Sequence, residues 1–226
     1  MEILTMTRTD TQIQQDVLEE LRWDTRVKQT EIGVAVKNGI VTLTGAVENF
    51  AKKLAAREAA HKVAGVLDVA DDVEVQIPGL LARSDTDIAS AVRHALEWDA
   101  FVPDTKIRST VANGWVTLDG NLDSLFDRDE AERAVRRLQS VRGVLNNIVI
   151  TTRKADPAKL RKAVEATLER RAEREAERID VDVVDGRVIL QGRVHSWPEK
   201  VAILGSVEHA PGVQTVVDKL RIEPYF

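Results

Sequence analysis

The sequence predicts an α+β fold of three tandem α-β-β-α-β units, each a small three-stranded mixed sheet with two helices on one face. Three observations carry that reading. Asn38-Gly39-Ile40-Val41-Thr42-Leu43-Thr44-Gly45 returns 75 positions on as Asn113-Gly114-Trp115-Val116-Thr117-Leu118-Asp119-Gly120. It returns again, 147 positions after the first, as Asp185-Gly186-Arg187-Val188-Ile189-Leu190-Gln191-Gly192. The same two offsets align residues 10–77 with 85–152 and with 157–224 without a gap. Self-similarity at a fixed period outranks chain length as a guide to domain count, so 226 residues make three units rather than one or two ordinary domains.

Each element can be tested three times. Ile13, Val17 and Leu21 map to Ile88, Val92 and Leu96, then to Leu160, Val164 and Leu168. That i, i+4, i+8 stripe predicts an amphipathic helix at the start of each unit. Asp10 and Asp85 are the expected N-caps, while Asp156-Pro157 offers a cap followed by proline at the first helical position. Next, Ile32, Val34 and Val36, with Ile107, Ser109, Val111 and Ile179, Val181, Val183, alternate as a strand with one buried face does.

Asn-Gly or Asp-Gly then supplies the two positive-φ residues of a type I′ turn at Gly39, Gly114 and Gly186, and a second strand returns as a hairpin. Gly45, Gly120 and Gly192 fall where inward side chains should be, and the expectation is close packing of a helix there, or a bulge. An alanine-rich second helix follows, with Ala56, Ala59 and Ala60 in the first unit. A last strand runs through Val69, Val73 and Val75, through Val144, Ile148 and Ile150, and through Val216, Leu220 and Ile222. Ser140 stands where the other copies have Gly65 and Gly212, so that helix is expected to end differently, near Gly143.

Composition narrows the function classes. Net charge of −5 and a pI near 5.5 argue against a nucleic-acid protein, which would show a basic domain or stripe. No apolar run approaches the roughly 18 residues of a transmembrane segment. No export signal is recognisable at the amino terminus, so the expected location is cytoplasmic, or peripheral to the inner membrane. With no cysteine, thiol chemistry and disulfides drop out. His61, His94, His195 and His209 occupy non-equivalent positions and read as ordinary surface histidines. Neither a phosphate-binding loop nor a nucleophile elbow is present, so the chain is expected to be no enzyme and to need no cofactor.

An α-β-β-α-β unit carrying N-G-x-V-x-L-x-G, an alanine-rich helix and then Gly-Val-x-x-Val resembles the BON domain, over essentially the whole chain. The resemblance implies non-catalytic domains of osmotic-stress and cell-envelope proteins, with phospholipid interaction the usual proposed role. It also implies an alternative, since other members are linked to potassium binding or chaperone-like activity. The family motif consists of fold residues and brings no binding site with it.

Candidate binding residues must come from this chain alone. Arg128, Arg133, Arg136, Arg137 and Arg142, followed by Arg153 and Lys154, could meet an anionic phospholipid surface or a protein partner. The competing reading is a solvated helix face offset by Asp127, Asp129, Glu130 and Glu132. Trp115 replaces Ile40 on the outward side of the hairpin and is a candidate contact. Trp23 and Trp98 close the first helices and are expected to lid the small cores or to touch another unit. Asp68, Asp71 and Asp72 have the oxygen chemistry of a hard-cation site, against a structural role at a turn or sheet edge. Asp71 recurs as Asn146 and Asp218. Unit 3 replaces the Trp-Asp pair by Arg170-Arg171 within a run of alternating charge that reads as a solvated helix end.

Overall fold

The computed structural model describes residues 8–79, 82–151, 156–171, 179–208 and 210–223, without the side chains of 169–171. The charged run at 172–178, Arg153, Lys154 and His209 lie outside the described residues. The chain divides into two compact units. One is Met1–Pro78 with Val194–Lys200 and Ile222–Phe226, the other Gly79–Arg193 with Val201–Arg221.

The first repeat contains α1 (Asp10–Trp23), a 3-10 turn (Gln29–Glu31), β1 (Ile32–Lys37), β2 (Ile40–Val47), α2 (Phe50–Lys62) and β3 (Asp68–Val75). β1 runs antiparallel to β2, from Ile32 opposite Gly45 to Lys37 opposite Ile40. β2 runs parallel to β3, from Ile40 opposite Asp68 to Val47 opposite Val75, so α2 is the crossover between parallel strands that a hairpin turn cannot supply. α1 packs on β1, α2 packs on β2 and β3, and the two helices touch. Ile13, Val17 and Leu21 of α1 meet Val41, Leu43 and Val73 of the sheet and Ala56, Ala59 and Ala60 of α2 in one core. Small alanines let α2 sit close to the sheet, which is how a repeat this short closes a core.

The second repeat has α3 (Asp85–Trp98), β4 (Ile107–Ala112), β5 (Trp115–Leu122) and α4 (Leu125–Arg136). Its last strand is broken into β6 (Gly143–Asn146) and β7 (Val149–Ile150), both parallel to β5. The third repeat has α5 (Pro157–Arg171), β8 (Ile179–Val184), β9 (Arg187–Val194), α6 (Trp197–Glu208) and β10 (Thr215–Ile222), with sheet order β10-β9-β8. Three mixed α+β units are therefore present, as the repeat predicts.

All three hairpin turns take the expected conformation, with φ of 52° and 75° at Asn38 and Gly39, 52° and 78° at Asn113 and Gly114, and 50° and 79° at Asp185 and Gly186. Each turn glycine also accepts a backbone hydrogen bond from the approach to the last strand, from Leu67 at 2.9 Å, Arg142 at 2.9 Å and Gln214 at 2.8 Å.

Several local expectations need correction. Thr9 and Ser84, not Asp10 and Asp85, cap the first helices, each in a reciprocal capping box, with Gln12 and with Asp87 respectively. Asp10 and Asp85, one position inside the helix, bind the turn instead. The Asn38 and Gly39 amides donate to Asp10 at 2.8 and 3.0 Å, and those of Asn113 and Gly114 donate to Asp85 at 2.8 and 2.9 Å.

Gly45 and Gly120 do not make room for a helix. A Cβ at Gly45 would lie 2.1 Å from the Glu31 carbonyl oxygen, and one at Gly120 would lie 2.3 Å from that of Lys106. What crosses them is the backbone leading into the first strand. Finally, α4 ends at Arg136, and Ser140 adopts φ 66°, the left-handed conformation of Gly65 at 93° and Gly212 at 94°. Gly143 lies in β6 and terminates no helix.

Candidate functional site

The repeats differ most in what stands outside the hairpin. Chain direction brings together, at one end of the second repeat, the start of α3, the Asn113-Gly114 turn, the end of α4 and the start of β6. Trp115 opens β5 there, opposite Ala112 on β4 and Gly143 on β6. Its ring lies flat on the glycine, since a Cβ on Gly143 would come within 2.3 Å of the indole. A backbone covered by an aromatic ring loses less to solvent, which accounts for a glycine inside this strand. Half of Trp115 remains exposed, at 51%.

Arg142, the residue before Gly143, is exposed and runs its aliphatic stem against Gly114. Arg136 ends α4 half-buried and Arg137 caps it exposed, where the negative end of the helix dipole favours cations. A half-exposed indole with three arginines at one end of a repeat can insert an amphipathic ring into an interface while its cations face anionic groups.

Of the other two arginines, Arg133 shares the last turn of α4 with Arg136, whereas Arg128 lies near the start of that helix. Arg133 pairs with Glu130 one turn back. Arg128 belongs to the first turns of α4, half-buried, and its carbonyl accepts a hydrogen bond from Asn146 at 3.2 Å. Along β3, Asp68 and Asp72 are exposed on the outer side, whereas Asp71 is half-buried on the helix side with Lys53 Nζ at 3.7 Å. One Asp71 oxygen is within 3.4 Å of the Val73 amide, a pattern shared by Asn146 with Ile148 at 3.2 Å and Asp218 with Leu220 at 2.9 Å. A short polar side chain folding onto the amide two residues on is an Asx turn, which gives this recurring position a structural use. Among the described residues, no group of three His, Asp or Glu side chains is placed to hold a metal ion.

At the opposite end of the repeats the tryptophans lid nothing. Trp23 is 76% and Trp98 88% exposed, because Leu21 and Leu96 are the last inward residues of their helices and the tryptophan two positions on turns away. Two residues absent from the sequence expectations join Trp98 at that end. Phe101, 65% exposed, stacks edge-on against Phe126 at 5.7 Å. In the first repeat Arg26 stands in place of Phe101 and forks to Asp24 at 2.7 Å and Glu58 at 2.9 Å. The Arg26 hydrogen bond holds the Asp24 carboxyl below its ordinary range. The phenylalanines were visible only as departures of the second copy from the first.

His61 also departs from expectation. It is buried, at 7% exposure, with its ring stacked on Trp197 at 3.7 Å. No helix among the described residues is long and apolar enough to cross a membrane.

Comparison with known proteins places these features in a family. The BON domain model matches residues 9–77, 84–152 and 156–224. Osmotically-inducible protein Y of Escherichia coli K12 is 30% identical over 128 residues, covering 54% of this chain and 63% of that protein. The chain thus spans less than two thirds of the curated relative it matches. Among solved structures, CdsD, a structural protein of the type III secretion system of Chlamydia trachomatis, aligns over 93% of this chain and 92% of its own at 14% identity, with a TM-score of 0.27. The structure of its C-terminal domain aligns with the same score and identity over 96% of its length.

Proposed function

The chain belongs to the BON domain family, and on that premise we propose that it is a non-enzymatic stress-response protein docking peripherally on anionic phospholipid through the hairpin end of its second repeat. The osmotic-stress part of this reading draws on the similarity to osmotically-inducible protein Y. The lipid part rests on one observation, the half-exposed indole of Trp115 on Gly143, with Arg142 and the arginines ending α4 at the same end of the repeat.

Magnitudes favour this end over the rest of the surface. Each arginine held near an anionic bilayer contributes about 1 kcal/mol, and an inserted indole adds its apolar area. The net charge of −5 opposes approach, yet its distant acidic groups are screened beyond about 8 Å at physiological salt. Local cations therefore outweigh the global charge at contact distance.

Flotation of the full chain with phosphatidylserine-containing vesicles tests the proposal. Binding at low salt should weaken as salt rises and fall by roughly 30-fold or more in the double variant Arg136→Glu/Arg137→Glu, since two reversed charges remove at least about 2 kcal/mol. Absence of the chain from floated anionic vesicles at low salt contradicts it.

A further inference from the structure

We infer that His61 and Trp197 form a clasp between the first repeat and the Val194–Lys200 segment, closed at neutral pH and released in acid. Both partners lie within one compact unit, which joins Met1–Pro78 to that segment. The rings stack at 3.7 Å between centroids and 7° between planes.

Repetition supplies an internal control. Trp197 holds the position of Phe50 and Leu125, and His61 that of Arg136 and Glu208, so neither residue is required by the fold. Two residues each unique to one copy, and facing each other, serve something other than the repeat. Trp197 is presented from a fixed first turn of α6, where the Glu199 amide donates to Ser196 at 3.3 Å and the His195 amide donates to Glu199 at 2.7 Å.

The contact suits a neutral imidazole. His61 Nδ1 is buried without a hydrogen-bond partner, so a proton there would have no acceptor. Lys200 Nζ already lies 5.5 Å from the Trp197 ring centroid, on the π system that a protonated imidazole would have to share. Arg57 on α2 and Lys200 on α6 oppose a further positive charge, and only Asp68 on β3 favours one. Burial, followed by Arg57 and then by Lys200 against Asp68, pushes the imidazole down to about 4 from 6.5.

The sign follows by linkage. Released His61 titrates near 6.5 and clasped His61 near 4, so the open state binds the proton first. Closure is fully favoured above 6.5 and weakens about tenfold per pH unit below it, by roughly 150-fold at pH 4, where the clasped imidazole is itself half protonated.

NMR titration of His61 in the full chain, with amide hydrogen exchange at Trp197, Glu199 and Lys200 corrected for intrinsic rates, tests the clasp. The wild-type midpoint should lie well below the free value and rise by roughly two pH units in Trp197→Ala. Exchange at these amides should open on acidification in the wild type and become insensitive to pH in His61→Phe, which stacks without titrating. A wild-type midpoint near the free value, a midpoint unmoved in Trp197→Ala, or the same pH dependence in His61→Phe overturns the inference. If Trp197→Ala does not fold, the exchange comparison with His61→Phe decides alone.

Discussion

In the first repeat Asp10 holds the hairpin turn, and Ile40 with Asp68 stands outside it. In the second repeat Asp85 holds an equivalent turn, and Trp115 on Gly143 stands outside it. The groups that bind the turn, the glycine crossed by backbone and the buried stripe recur in both. What changes is either exposed, Ile40 to Trp115 and Arg26 to Phe101, or lies in or just before the last strand, Gly65 to Ser140, Asp68 to Gly143, and a continuous β3 to a broken β6 and β7. Recurrence therefore marks what the fold needs, and divergence marks where a copy has been free to acquire a surface. The third repeat extends the contrast, because Pro157 occupies the position of Asp10 and Asp85 and cannot offer a carboxylate to its turn.

If the recurring residues are structural, their loss should cost most. Gly45→Ala puts a Cβ against the Glu31 carbonyl at φ 119°, combining a backbone clash with left-handed strain, and should destabilise by about 3 kcal/mol. Gly120→Ala meets the Lys106 carbonyl without that strain and should cost about 2 kcal/mol. Denaturant unfolding of the two variants ranks them, and equal stability to wild type in either would remove the glycine from the list of fold determinants.

The turn clamp comes next. Asp10→Ala and Asp85→Ala each strand two turn amides at a partly exposed site, and each should cost about 1–2 kcal/mol by the same measurement. A substantially larger loss in one copy than in the other would break the equivalence of the two repeats.

Ser140 gives the smallest effect and the finest test. Ser140→Gly relieves a left-handed φ but gives up the bond its hydroxyl accepts from the Arg83 amide at 3.2 Å, and should change stability by less than about 0.5 kcal/mol. Ser140→Ala keeps the strain and loses the bond, and should cost about 1 kcal/mol. The reverse order would mean that the left-handed φ at this position costs nothing.

The repeat architecture was legible in the sequence because periodicity and turn chemistry are local and were sampled three times. The three type I′ turns and the stripes through Val17, Val92 and Val164 needed no tertiary information. Position along an element was less legible: Thr9 and Asp10 are both capping residues, and a helical stripe does not resolve a shift of one. The backbone crossing Gly45 was hidden because the expected contact was a side chain on a helix.

At the candidate site, Trp115 and Arg142 could be named singly, but their meeting over Gly114 and Gly143 depends on the parallel pairing of β5 with β6. Arg128 is close to them in sequence, but α4 places it near the helix start, away from that end. His61 and Trp197 are joined by no pattern at all, since each occurs in one copy only.

The central claim is that surface chemistry, and not the shared fold, distinguishes the second repeat. Exchanging the outer pairs tests it most directly: Trp115→Ile/Gly143→Asp in the second repeat, and Ile40→Trp/Asp68→Gly in the first, compared by flotation with anionic vesicles at low salt. The account predicts that the first exchange lowers vesicle binding by roughly tenfold with the fold intact, and that adding the second exchange to it restores part of the loss. Unchanged binding after the first exchange, in a folded chain, would contradict it.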